Sequence, residues 1–373
     1  MKKRKKFMNK KIRIGTVFSG IGAPEQALKK LGIKTQIVFA CDNGEIELKK
    51  DIKEIKKEIE GLSFDEVNMH IKELYAKTNK INYVKQSYMA NYDVEEENWF
   101  DDIRFLDGSH YKGDVDILVG GSPCQSFSII GKRAGLEDTR GTLFYEFARL
   151  IKECEPKVFI YENVLGMLNH DHGNTWKVIK EVFDSLGYKI YFDILNAKDY
   201  GIPQDRKRLF VVGFKDKKTK FEFPKPITLT TKMKDYLEER VEPKHYLGKK
   251  GFEFVTNPKY KNRARINSSI IQTQKANQQF NWNGDFVFEE LDHVINSKLI
   301  MERAYVSQWN GRTGVIRQLS YRECLRLMGF SDDFKIVVPN VPAYRQAGNS
   351  IVVNVLEHIF NEIFKVVDLN EEN

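Results

Sequence analysis

Apolar residues in the first 214 positions follow two alternating rhythms. Short, nearly continuous apolar runs at Ile12 to Phe18, Gln36 to Ala40, Val115 to Val119, Val158 to Tyr161, Tyr188 to Leu195 and Leu209 to Phe214 read as buried strands. Between them, ALKKLG, TLFYEFARLIKEC and WKVIKEVFDSLG repeat apolar residues every three to four positions, the spacing of one helix face. The alternation predicts an α/β fold, a sheet covered by helices in a series of βα crossovers. Such a sheet binds ligands outside the carboxyl ends of its strands, so residues there are the candidates for chemistry.

Two regions break the rhythm. From about Gly44 to Trp99 the text is charged and helical, as in IELKKDIKEIKKEIEGL and FDEVNMHIKELYAKTN, which reads as a solvated excursion or a partner-facing surface. From about Lys215 to Arg312 the strand rhythm is lost and Asn, Gln, Lys, Arg and aromatic residues predominate, giving an irregular second lobe. Helix spacing returns in SYRECLRLMGF and in NSIVVNVLEHIFNEIF. The expected organisation is a domain over 1–214 with a helical insertion at 44–99, a small domain over 215–342, and a segment 343–373 that returns to the first domain.

Charge narrows the class of partner. The 60 Lys and Arg residues against 52 Asp and Glu give a net charge of +8, which favours an anionic partner. With 41% hydrophobic and 30% charged residues the chain suits a folded protein, and no apolar run approaches the ~18 residues of a membrane helix. The basic start MKKRKKFMNKK precedes a Gly-broken strand without a cleavage site, so no secretory signal is expected. Four scattered cysteines, with no CxxC pair, fit neither a disulfide framework nor a metal site, and a cytoplasmic protein without a metal is expected.

The strand ends carry a coherent set of groups. VFSGIGAPEQAL puts a glycine-rich turn between the first strand and the first helix, where backbone amides can approach a ligand closely. Asp42 ends the second strand about twenty residues beyond Gly22, where an acid can accept from both ribose hydroxyls of a nucleoside cofactor. Asp102, ahead of the next strand, reads equally as an acid within reach of an adenine amino group or as a solvated one. Cys124 follows Pro123 in GGSPCQSFS at the end of VDILVGG, with Lys132 and Arg133 close behind to favour a thiolate. Cys41, Cys154 and Cys324 read as small buried hydrophobes. Glu162 ends KVFIYENV, and Arg206 and Arg208 open the strand after QDRKR at period two, on one face.

FSGIG, GGSPCQSFS, YENV, QDRKR, RQLSYRECLRLMGF and YRQAGNS, in this order, resemble the signature of the DNA (cytosine-5)-methyltransferases of bacterial and phage type. Ala23-Pro24 departs from the commoner text, in which a third glycine follows FSGIG, but Pro is well tolerated in a first helical turn. The resemblance implies a Rossmann-like S-adenosyl-L-methionine (SAM) domain with a mixed sheet, plus a smaller lobe that reads DNA. It also implies roles. Cys124 adds to carbon 6 of a flipped cytosine, Glu162 shares a proton at N3, Arg208 stabilises charge at O2, and Arg206 orients the thiol and the base. Phe18, Gly20 and Gly22 shape the cofactor pocket, Asp42 takes the ribose, Asp102 and Ile103 flank the adenine, and Pro123 lies near the methyl donor. Leu143 and Asn349 close the site, and the products are 5-methylcytosine and S-adenosyl-L-homocysteine (SAH).

The implied partner is double-stranded DNA, with the chain a monomer and any cognate restriction endonuclease acting separately. The loop after Cys124, with Gly131, Gly135 and Gly141 as hinges, is expected to close over the flipped base. Within the second lobe, RARINSSIIQTQKANQQFNWNGD is the candidate for groove contact. Three alternatives compete with this reading. A tRNA cytosine-5 methyltransferase has a much smaller insertion before RQLSYRE; intact Cys124, Glu162 and Arg208 argue against a catalytically silent DNA-binding homologue; and an NAD dehydrogenase accounts only for the glycine-rich turn.

Overall fold

The computed structural model describes residues 11–123, 143–277, 280 and 282–369. The apolar runs of the first half form strands β1 (Ile12–Val17), β2 (Thr35–Cys41), β3 (Trp99–Phe100), β4 (Ile117–Gly120), β5 (Val158–Val164) and β6 (Lys189–Asn196). Two more follow: β7 (Gln204–Asp205), which pairs elsewhere, and β8 (Lys207–Phe214). Seven of these make one sheet in the order β3-β2-β1-β4-β5-β8-β6. From β3 through β5 neighbouring strands are parallel, and their near-continuous burial is what a sheet covered on both faces requires. β8 runs antiparallel to β5, so the crossover series expected from sequence ends there. The physical reason is length: only ten residues separate β6 from β8, fewer than a parallel crossover needs.

Helices cover the sheet where the spacing predicts them. Leu143–Cys154 buries Phe144, Phe147, Leu150 and Ile151, and Asn174–Ser185 buries Ile179 and Phe183, all in one core with Phe159 and Tyr161 of β5. The charged stretch after β2 forms three helices, Ile52–Glu58, Phe64–Ala76 and Tyr83–Asn91. The second of these starts at a capping box between Ser63 and Glu66, a device that contributes about 1 kcal/mol to a helix start. Ile55, Ile71 and Tyr75 of this segment share a small core with Ile46 and Phe105.

By its internal packing the chain forms two units, one of residues up to 195, 207–225 and from 356 on, the other of 196–206 and 226–355. These boundaries differ from those read in the sequence. Residues 196–206 go with the second unit because β7 pairs with β10 (Ile271–Gln272). Residues 343–355 go there too, while the chain from Leu356 belongs to the first unit, where Glu357 pairs with Lys30 at 3.4 Å.

The second unit is less irregular than its sequence suggests. β9 (Ala264–Ile266), β11 (Gly284–Glu290), β12 (Ser307–Trp309) and β13 (Arg312–Gln318) make a four-stranded sheet in the order β12-β13-β11-β9. Phe286, Phe288 and Ile316 pack there with Leu247, Phe252, Val255 and Ala264. Strand rhythm was hidden because β9 and β12 are three residues long, too short to show a period. Among the described residues no helix is long and apolar enough to cross a membrane.

Candidate active site

The carboxyl ends of β1, β2, β4 and β5 carry most of the expected site residues of the first unit. After β1 the backbone turns through left-handed conformations at Phe18, Gly20 and Gly22, with φ of 53°, 53° and 75°. Gly22 caps the helix Ala23–Lys30, and Pro24 sits in its first turn. Ser19 ties this turn to β2: its amide donates to Cys41 O at 3.1 Å and the Cys41 amide donates to Ser19 Oγ at 3.0 Å. Local sequence pattern does not single out Ser19, because its partner Cys41 is brought to it by the fold.

Asp42 is held at the same turn. Its Oδ2 accepts from the Gly20 amide at 2.9 Å and its Oδ1 from the Gly44 amide at 2.8 Å. Burial pushes its carboxyl above the ordinary range, against the two amide bonds that favour the carboxylate. A carboxylate offers about four lone-pair sites, so two further donors can be accepted. A half-buried acid fixed this way beside a glycine turn suits a pair of vicinal hydroxyls.

Asp102 is more fully engaged. Its carboxylate accepts from the Tyr75 hydroxyl at 2.9 Å, from Arg104 Nε at 2.9 Å and Nη2 at 2.6 Å, and from the Arg104 amide at 3.0 Å. Ile103, next to it, is buried, and its carbonyl accepts from Arg149 Nη2 at 2.7 Å. Arg149, which also holds Leu106 O at 2.8 Å, anchors this segment to the helix Leu143–Cys154 and was not anticipated. Leu143, the first residue of that helix, is half-buried against the main core.

At the end of β5 Glu162 lies 3.1 Å from Arg208, Oε1 to Nε. The antiparallel register sets this pair: Val164 stands opposite Arg208 and Glu162 opposite Phe210, making Glu162 and Arg208 diagonal neighbours. Gly121 leaves room for the carboxylate, since a Cβ there would lie 3.2 Å from Glu162 Oε2 and 2.8 Å from Glu162 O. The end of β4 is joined to β5 by a buried set of groups. Asn163 Nδ2 donates to Ser122 O and to the Tyr161 hydroxyl, both at 2.9 Å, and Ser122 Oγ meets that hydroxyl at 2.7 Å. Asn163 and Ser122 lie inside YENV and GSPC, so the motifs contained them without revealing their bond. Pro123 is exposed, the last described residue before position 143. Cys124 and the loop through Gly131, Lys132, Arg133, Gly135 and Gly141 lie outside the described residues.

Arg206 and Arg208, two positions apart, have different surroundings. Arg206 belongs to the second unit, is 4% exposed, and donates to the carbonyls of Gln274 at 3.0 Å, Gly348 at 3.1 Å and Ser350 at 2.9 Å. Asn349, between two of those carbonyls, ends the helix Asn340–Asn349 and is exposed. In the stretch from 263 to 285, Arg265 Nε pairs with Asp285 at 3.4 Å and Gln274 is buried, whereas Arg263, Asn267, Lys275 and Asn277 are exposed. Cys41, Cys154 and Cys324 are buried, and burial pushes the Cys154 thiol up to about 12, so these three are packing residues. No cluster of three metal-ligating side chains occurs among the described residues.

A family model for C-5 cytosine-specific DNA methylases matches residues 57–365. The chain is 38% identical over 252 residues to the type II methyltransferase M.HhaI of Haemophilus parahaemolyticus, covering 66% of this chain and 75% of that protein. It is 27% identical to the orphan methyltransferase M.SPRI of Bacillus phage SPR, covering 97% of this chain and 99% of that one. A solved structure of a Spodoptera frugiperda DNMT2 mutant superposes with a TM-score of 0.66 at 18% identity, over 95% of this chain and 99% of that one, a likeness of fold.

Proposed function

We propose that this chain, which belongs to the C-5 cytosine-specific DNA methylase family and is a DNA (cytosine-5)-methyltransferase, methylates a cytosine flipped out of duplex DNA through a covalent bond from Cys124 to carbon 6. The observation that carries the reading is the Glu162–Arg208 pair beside Gly121, three residues before Cys124. Carbon 5 of cytosine is a poor nucleophile, and addition of a thiolate at carbon 6 makes it one. Charge then grows toward N3 and O2. Glu162 holds or moves a proton at N3, and the Arg208 guanidinium stabilises charge at O2. Arg206, spent on three backbone carbonyls, acts by positioning the Gly348–Ser350 turn.

SAM, when bound, supplies the methyl group. The left-handed turn at Phe18, Gly20 and Gly22 and the acceptor capacity of Asp42 fit its adenosine, with Asp42 taking the ribose and Ile103 and Asp102 lying along the adenine. Because Asp102 already has donors from Arg104 and Tyr75, an adenine amino group would share that carboxylate with them. Pro123 and Leu143 line the methyl side, and no metal takes part. The second unit reads the DNA sequence, and Arg263, Asn267, Lys275 and Asn277 are its exposed candidates for base and phosphate contact. Both type II and orphan relatives are known, so the enzyme acts either beside a separate endonuclease or alone.

Labelled SAM incubated with duplex DNA, with tRNA or with neither tests this reading. Label is expected in DNA only and is expected to vanish with Cys124→Ala. Label in tRNA but not DNA, or activity surviving that substitution, overturns it.

A further inference from the structure

The helical segment between β2 and β3 sends its polar side chains to the same three loops that the proposed function assigns to SAM. Asn82 caps the helix Tyr83–Asn91, its Oδ1 accepting from the Lys85 amide at 3.0 Å. Its Nδ2 donates to Asp42 O at 2.9 Å and lies 3.5 Å from Asp101 Oδ1, linking the ends of β2 and β3. The approach is close enough that a Cβ on Gly44 would lie 2.3 Å from Asn82 Oδ1. The Tyr92 hydroxyl lies 3.0 Å from Ile21 O and 2.7 Å from Gly22 O, and its ring fills the space a Cβ on Gly22 would take, 2.2 Å away. Tyr88 bonds the buried Glu25 in the helix that follows the turn. Tyr75 donates to Asp102 at 2.9 Å.

We infer that this segment is a positioning element for the cofactor loops, with Asn82, Tyr75 and Tyr92 as the residues through which it acts. A solvated excursion would touch the sheet wherever its apolar face happened to lie. Here the polar contacts converge on the glycine turn, the Asp42 loop and the Asp101–Asp102 pair, while the apolar residues Ile55, Ile71 and Tyr75 hold the helices against Ile46 and Phe105. Two hydroxyls and one amide thus set the spacing between groups that must meet one ligand, and fixing such a constellation in advance lowers the cost of binding.

The inference rests on the reading that these loops bind SAM, and the test separates the two. Calorimetric titration of the full-length protein with SAH is compared for wild type, Asn82→Ala, Asn82→Ser and Tyr75→Phe, alongside thermal unfolding and the separate KM values for SAM and DNA. Asn82→Ala is expected to weaken SAH binding about tenfold and Tyr75→Phe about threefold. KM for SAM should rise in parallel, with kcat and the KM for DNA within twofold. Serine caps a helix as well as asparagine does but is too short to bridge the two loops. Asn82→Ser should therefore recover the melting temperature without recovering SAH affinity. Recovery of both, or unchanged SAH affinity in Asn82→Ala and Tyr75→Phe, overturns the positioning role. Failure of the wild type to bind SAH overturns the cofactor reading and this inference with it.

Discussion

The two edges of the parallel sheet use the same kinds of charge to opposite ends. At the amino edge Asp116, wholly buried, accepts from the Arg13 amide at 3.0 Å and Nη2 at 3.1 Å and lies 3.6 Å from Lys157. The Asp116 charge there is answered by other parts of the fold. At the carboxyl edge Asp42 is fixed by two backbone amides and keeps acceptor capacity, and Glu162 is half-buried beside the Arg208 guanidinium. The difference separates charges that hold strands together from charges presented to a ligand.

Substitutions at the two edges should therefore fail in different ways. The largest effect is expected from Glu162→Gln, a loss of roughly 10²- to 10⁴-fold in kcat, the span of general acid–base catalysis, with the melting temperature and SAH affinity unchanged. A kcat within tenfold of wild type would remove Glu162 from the chemistry. Asp42→Ala should weaken SAH binding by about 10- to 100-fold, roughly the worth of one hydrogen bond to a charged group, and calorimetry reads it directly. Asp116→Ala should destabilise the fold by about 2 kcal/mol in urea unfolding while kcat and both KM values stay unchanged. A kinetic defect in a folded Asp116 variant would erase the contrast between the edges.

The smallest effect concerns pH. Burial raises the Asp42 carboxyl, so the folded protein takes up this proton at a higher pH than the unfolded chain does. The group's own contribution to stability therefore grows as pH falls, whereas its ability to accept from ribose hydroxyls is lost. SAH affinity should decline on acidification from above the ordinary carboxylate range, and Asp42→Ala should flatten that decline.

Much of the first unit was legible because its strands and helices each satisfy a local rule. β1, β2, β5 and β8 fall within a few residues of the apolar runs, and Ala23–Lys30, Leu143–Cys154 and Asn174–Ser185 follow their three-to-four spacing. The second unit was less legible because part of its sheet is assembled from strands well separated in the chain: Ala264 pairs with Gly284, and Phe286 with Gln318. Of the site, the acids and arginines could be named from their positions at strand ends. Ser19, Ser122, Asn163 and Arg149 could not, since a buried polar side chain is explained only by the partner the fold brings to it.

The sequence by itself determined the order of strands and helices of the first unit and the residue types available at its strand ends, because both follow from local periodicity. Only the tertiary structure decided what each group does. Period two puts Arg206 and Arg208 on one face of a single strand, yet Arg206 lies between β7 and β8, buried on three carbonyls, whereas Arg208 lies in β8 and pairs with Glu162. Likewise the charged helices after β2 carry no signal of their own for the loops they touch. Asn82 and Tyr75 meet Asp42 and Asp102 across 40 and 27 positions, a convergence set by long-range packing that no local pattern encodes.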